Sequence, residues 1–149
     1  MIARRVRELN IFCEIFPYNS KNYNLEKYSA VILSGSPYSV RSKDSLKINL
    51  ENIKGKLPLL GICYGAQYLA HNFGGNVDLS SSREYGRANL VSISEKSALF
   101  EGVKNGSQVW MSHADTIVDL PRKSIRIGST KDVDNAAFKS VSYTHLRAH

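Results

Sequence analysis

One stretch constrains this chain more than any other: Leu57-Pro58-Leu59-Leu60-Gly61-Ile62-Cys63-Tyr64-Gly65-Ala66-Gln67. Leu57–Ile62 reads as a buried strand, and Tyr64–Phe73 as a helix with Gly74-Gly75 as its stop signal. A strand that runs through Gly-x-Cys-x-Gly straight into a helix is the cysteine form of a nucleophile elbow. Its tight turn projects the side chain out of the sheet. The flanking glycines let neighbouring backbone approach without a Cβ in the way. A helix N-terminus behind the sulfur favours negative charge, and the thiolate is the nucleophilic form of cysteine. A buried structural cysteine at a strand end is the bland alternative, and glycines on both sides argue against it. Cys13 lies inside an apolar run without glycines and reads as the structural cysteine.

The elements around the elbow point to one fold class. Ile2, Val6 and Leu9 recur at helical spacing between arginines, so Met1–Leu9 reads as an amphipathic helix. Ile11–Phe16, stopped by Pro17, and Tyr28–Leu33, ended by Ser34-Gly35-Ser36-Pro37, read as strands. Leu46, Leu50 and Ile53 again have helical spacing. Short strands separated by helices imply a parallel sheet covered on both faces. Beyond residue 76 the pattern changes: 88–93, 107–111, 125–129 and 136–138 read as short strands with little helix between them.

Charge and cysteine usage narrow the function classes. Twenty Lys+Arg against thirteen Asp+Glu give a net charge of +7 over 149 residues. The basic residues are scattered, and no RNA-binding or zinc-finger spacing accompanies the densest patch, Arg4-Arg5-Val6-Arg7, so we expect no nucleic-acid partner. No apolar run approaches the roughly 20 residues that span a bilayer, and the arginine-rich start is not followed by a signal-peptide pattern. No membrane partner, a cytoplasmic setting and two unpaired cysteines are expected.

The elbow Gly61-Ile62-Cys63-Tyr64-Gly65-Ala66-Gln67 resembles the nucleophile motif of the class I (triad) glutamine amidotransferases, and within them the glutaminase domain of glutamine-hydrolysing GMP synthases. Further support comes from 2–8, Ile32-Leu33-Ser34-Gly35-Ser36-Pro37, Arg83-Glu84-Tyr85-Gly86 and Val109-Trp110-Met111-Ser112-His113-Ala114-Asp115. The resemblance covers residues 1–139. It implies an α/β, three-layer, flavodoxin-like fold, its mostly parallel sheet flanked by helices, with a small β-rich part after residue 76. It implies that Cys63 attacks the side-chain amide of glutamine, releasing ammonia and leaving a glutamyl thioester. Backbone N–H groups of Ser36 and Tyr64 would hold the oxyanion; Gly35, Gln67, Ser112 and His113 would bind substrate. No metal is implied at this site.

Two departures accompany the resemblance. The family's general base and its orienting carboxylate lie in a His-Pro-Glu segment, and none occurs here. His71 stands eight residues past Cys63, about 12 Å along a helix, too far to serve. His113 belongs to the substrate loop by its motif, and His145 and His149 lie in Val141–His149, a stretch without clear period. The family's first strand and the Ser-Gly-Gly-x-Asp-Ser phosphate loop of an ATP-pyrophosphatase domain are absent as well. We therefore expect a partial domain over residues 1–140 and a tail, 141–149, foreign to it. No cofactor is expected in this chain; ATP and Mg2+ would be held by the synthase (ATP-pyrophosphatase) domain, the implied partner in a homodimeric longer enzyme. Two alternatives stay open: the glutaminase of another pathway, such as anthranilate or CTP synthesis, and a non-catalytic binding module of the same fold.

Overall fold

A computed structural model describes residues 1–149 apart from 21–23, 52, 54, 81–84, 141–145 and 149, and for 146–148 the backbone alone. Helix α1 (Ile2–Glu8) is followed by strands β1 (Val31–Leu33) and β2 (Leu59–Gly61), helix α2 (Tyr64–Asn72), and strands β3 (Asn76–Leu79) and β4 (Tyr85–Ile93). Strands β5 (Gln108–Ser112), β6 (Asp115–Asp119), β7 (Ser124–Thr130), β8 (Ala137–Ser140) and β9 (Leu146–Ala148) complete the order. Seven strands form one sheet in the order β1-β2-β9-β8-β7-β4-β5, and β3 and β6 pair as a separate ribbon.

The α/β, three-layer class holds, and the structure specifies its layers. Helix α2 packs between β1 and β2 of the large sheet on one side and the β3–β6 ribbon on the other. That placement explains why every residue from Tyr64 to Ala70 is buried, Gln67 included. On one side Leu69 meets Leu33, Ile53 and Leu59; on the other Ala66, Tyr68 and Ala70 meet Val40, Val77, Ile117 and Phe138. Parallel pairing is confined to β1–β2 and β2–β9, while the strands from β8 to β5 pair antiparallel. The β-rich part after residue 76 is thus larger than expected. It has its own core of Leu90, Phe100, Ile127 and Ala137. Antiparallel neighbours need no crossover helix, and among the described residues after residue 76 the helical structure is a single 3-10 turn, Ala98–Phe100.

The helix α2 stops as the sequence predicts. Gly74 adopts φ +86°, Gly74 N–H bonds the His71 carbonyl and Gly75 N–H the Ala70 carbonyl at 2.8 Å. This is a Schellman closure, which needs a left-handed residue after the helix.

Three expectations are corrected. Ile11–Phe16 forms no strand: the Cys13 carbonyl accepts two bonds from the Arg7 guanidinium (2.7 and 3.1 Å) instead of a ladder bond, and Phe12 and Ile15 remain exposed. The described residues of 46–53 form no helix. The Tyr68 hydroxyl donates to the Ile48 carbonyl (2.8 Å) and accepts from the Ile48 N–H (2.9 Å), and the Tyr64 hydroxyl donates to the Leu46 carbonyl (3.1 Å). Side chains of α2 thereby satisfy backbone groups that a helix would have paired internally. Strands β3 and β6 are additional; Asp115, Asp119 and Asn76 at their ends resemble turn residues in sequence.

Candidate active site

The elbow is built by crowding. Ile62 N–H bonds the Leu33 carbonyl (2.9 Å), which extends the β1–β2 pairing by one residue. The chain then turns: Cys63 takes φ 53° and ψ −113°, Gly65 N–H bonds the Ile62 carbonyl (3.0 Å), and Gln67 N–H bonds the Cys63 carbonyl (3.0 Å). A Cβ on Gly61 would lie 2.7 Å from the Ala66 nitrogen, and one on Gly65 only 2.2 Å from the Leu33 oxygen. Both glycines are required for α2 to start this close to the two strands. Positive φ in a non-glycine residue is a strained state that persists where surrounding structure dictates it, and functional sites collect such residues.

Three segments converge on the sulfur. Gly35 approaches so closely that a Cβ there would stand 3.4 Å from Cys63 Cβ and 3.8 Å from Sγ. The Ser112 carbonyl accepts from Cys63 Sγ at 3.7 Å. Among the described residues, neither the Ser36 nor the Tyr64 backbone N–H has an acceptor. Open N–H groups are the normal condition of a helix's first turn and give it the capacity to bind an anion. The Ser36 hydroxyl closes its own loop by accepting from Tyr38 N–H (3.2 Å).

Cys63 also forms part of the wall of a cavity of about 340 Å³, together with Gln67, Ser112, His113 and Asp115. His113 Nδ1 is buried there without a hydrogen-bond partner among the described residues. Gln67 has a different engagement from the one expected: its Nε2 donates to the Asp115 carbonyl (2.9 Å), so this end of the amide is occupied within the protein. His71 lies exposed on α2, as its sequence position suggests. Arg83, Glu84, His145 and His149 lie outside the described residues.

Sequence reasoning missed the group behind this site. Asp115, 7% exposed, accepts from the Ser39 hydroxyl and faces Arg41 Nη1 at 3.8 Å, while Arg41 Nη2 pairs with Asp78 at 3.1 Å. Asp115 closes the segment 109–115, and a carboxylate at the end of a substrate-loop motif was the available signal. Among the described residues no cluster of His, Cys, Asp or Glu could hold a metal ion, and no helix is long and apolar enough to cross a membrane.

Comparison with known proteins gives the family. The family model described as "Glutamine amidotransferase class-I" matches residues 1–144. A protein of Flavobacterium psychrophilum named "GMP synthase [glutamine-hydrolyzing]" is 61% identical over 139 residues, covering 93% of this chain and 27% of that protein. A protein of the same name from Christiangramia forsetii is 57% identical over 139 residues, with the same coverage of 93% and 27%. The chain thus spans about a quarter of the length of these relatives. Among solved structures, a glutamine amidotransferase from Thermotoga maritima superimposes with a TM-score of 0.79 at 24% identity, covering 99% of this chain and 67% of that one. That likeness concerns the fold.

Proposed function

The chain belongs to the class I glutamine amidotransferases, and on that premise we propose that it hydrolyses glutamine as the ammonia-supplying part of a longer glutamine-hydrolysing GMP synthase. The observation that carries the reading is the convergence on Cys63: a strained elbow at a helix start, Gly35 packed against the sulfur, and the Ser112 carbonyl at 3.7 Å.

In this reading the Cys63 sulfur attacks the side-chain amide carbon of glutamine. The carbonyl electrons move to oxygen, where the open N–H groups of Ser36 and Tyr64 receive the charge. Losing one donor of this kind typically costs about 10²–10³ in rate. Collapse of the tetrahedral species expels ammonia once its nitrogen is protonated, and water then cleaves the glutamyl thioester. Gly35, Ser112 and His113 border the volume in which glutamine would lie, and Gln67 steadies its floor. The base belongs to the His-Pro-Glu segment of the family, which this chain does not contain. The ammonia would aminate XMP to GMP on a synthase (ATP-pyrophosphatase) domain, which would hold ATP and Mg2+; no residue of this chain is assigned to them. A homodimeric, cytoplasmic enzyme completes the proposal.

The test is covalent capture. A chloroketone analogue of glutamine should alkylate Cys63, read on its peptide by mass spectrometry, and free glutamine should slow the reaction. Ammonia release by the 149-residue chain should fall at least about 10²–10⁴-fold below that of a version extended through a His-Pro-Glu segment, the usual worth of a positioned base. Alkylation of Cys13 and Cys63 at equal rates, unaffected by glutamine, would overturn the reading.

A further inference from the structure

Three of the segments that meet at Cys63 lead back to one buried point. Ser39 follows the Gly35-Ser36-Pro37 loop by two residues, and its hydroxyl donates to Asp115 Oδ2. Gln67 follows Cys63 by one helical turn, and its amide donates to the Asp115 carbonyl at 2.9 Å. Asp115 follows Ser112 by three residues at the start of β6, paired there with Leu79 of β3. The loop facing the sulfur, the helix behind it and the loop beside it are thus joined through a single residue.

Of these ties, the one to the oxyanion loop has the least support elsewhere. Helix α2 is fixed by its packed core and β6 by its ladder. Residues 34–41 form no helix or strand, and Val40 is their one fully buried apolar anchor. Ser39 also caps its own turn, its oxygen accepting from Arg41 N–H at 3.2 Å, and Arg41 reaches back to Asp115 Oδ1 at 3.8 Å. A hydroxyl donating to a buried carboxylate is a charge-assisted bond, stronger and more directional than a neutral one. The carboxylate's cation partner among the described residues, Arg41, stands 3.8 Å away, beyond hydrogen-bond distance, whereas the Ser39 hydroxyl bonds it directly.

We infer that Ser39 is a positioning residue: its hydrogen bond to Asp115 latches the oxyanion loop at the distance from Cys63 that stabilises the tetrahedral intermediate. Ser39 itself does not touch substrate; it acts through the Ser36 N–H. The inference rests on the glutamine reading given above, and the test separates the two.

The test uses the full 149-residue chain with Ser39→Ala, Ser39→Thr and wild type, each reacted with the glutamine chloroketone and with iodoacetamide, a small thiol reagent that needs no oxyanion loop. Reaction is followed on the Cys63 peptide, and urea unfolding checks that each variant is folded. Ser39→Ala should lower the limiting chloroketone rate by roughly tenfold, within the ~10²-fold that a 1 Å misplacement can cost. Half-saturation by the chloroketone and the iodoacetamide rate should stay at wild-type values. Ser39→Thr, which keeps the hydroxyl, should restore the limiting rate. A merely structural role would slow both reagents together, and that result overturns the latch, as does an unchanged chloroketone rate in Ser39→Ala. A wild-type chain with no preference for the chloroketone sinks the glutamine reading and the latch with it; a preference retained in Ser39→Ala sinks the latch alone.

Discussion

A methyl group at Gly65 would stand 2.2 Å from the Leu33 carbonyl oxygen, whereas one at Gly74 would meet nothing within 4 Å. The two glycines are therefore needed for different reasons, and their alanine variants should separate. Gly65→Ala must drive α2 away from β1; overpacking of this kind costs about 1–3 kcal/mol or more, and it displaces the sulfur. Gly74→Ala pays only the left-handed backbone penalty, about 1–2 kcal/mol at φ +86°. Urea unfolding should show the larger loss for Gly65→Ala, and that variant should also lose chloroketone capture at Cys63 while Gly74→Ala keeps it. Equal capture by both would show that the crowding does not set the position of the nucleophile. Cys63, its glycines and Ser112 were legible from sequence because their constraints are local or carried by a recognisable motif. The tie between Ser39 and Asp115 was not, since its partners lie 76 residues apart and the Asp115 motif does not say which hydroxyl it meets. Gln67 borders the cavity beside Cys63, and its Nε2 is already engaged by the Asp115 carbonyl.

Elements were legible where periodicity and packing agree. Helix α2 has both, together with a glycine stop. The apolar spacing of Leu46, Leu50 and Ile53 mimics a helix because all three do turn inward, yet α2's tyrosine hydroxyls hold that backbone in an irregular path. Ile11–Phe16 has a strand's composition but no ladder partner among the described residues, and composition alone cannot supply one. The tyrosines also give α2 a pH signature. Burial raises the Tyr64 phenol above its ordinary value near 10; the bond to the Leu46 carbonyl pulls it down and the neighbouring Tyr68 pushes it up. The folded state thus favours the neutral phenol. Tyr64's contribution is present in full below the unfolded value and is lost as pH rises through the raised folded one. The thermal-midpoint gap between wild type and Tyr64→Phe should shift against wild type over the range from about pH 10 upward. A gap that stays constant across that range would count against a buried phenol here.

At the scale of the whole molecule, the sheet is two blocks joined by β9, which lies parallel to β2 and antiparallel to β8. In sequence, residues 141–149 read as foreign to the domain because their side chains have no period. Backbone pairing is indifferent to side-chain period, which is how Leu146–Ala148 can enter the slot. Deleting residues 146–149 leaves facing edges of β2 and β8 unpaired, and the thermal midpoint followed by circular dichroism should fall. An unchanged midpoint would mean that the slot contributes nothing to stability. The α/β class was readable from the elbow and the strand–helix alternation, but the extent of the antiparallel part was not, because strand order is a long-range property that short apolar runs do not encode. The place of β9 bears on how such a molecule is made. A strand that follows both blocks in chain order belongs between them in the sheet, one block being completed near residue 61 and the other near residue 140. Translation at about 5–20 residues per second leaves the first block waiting several seconds for its neighbour. Through that interval β2, the strand that leads into Cys63, has one open edge, and the nascent chain must be kept from pairing there with the wrong partner.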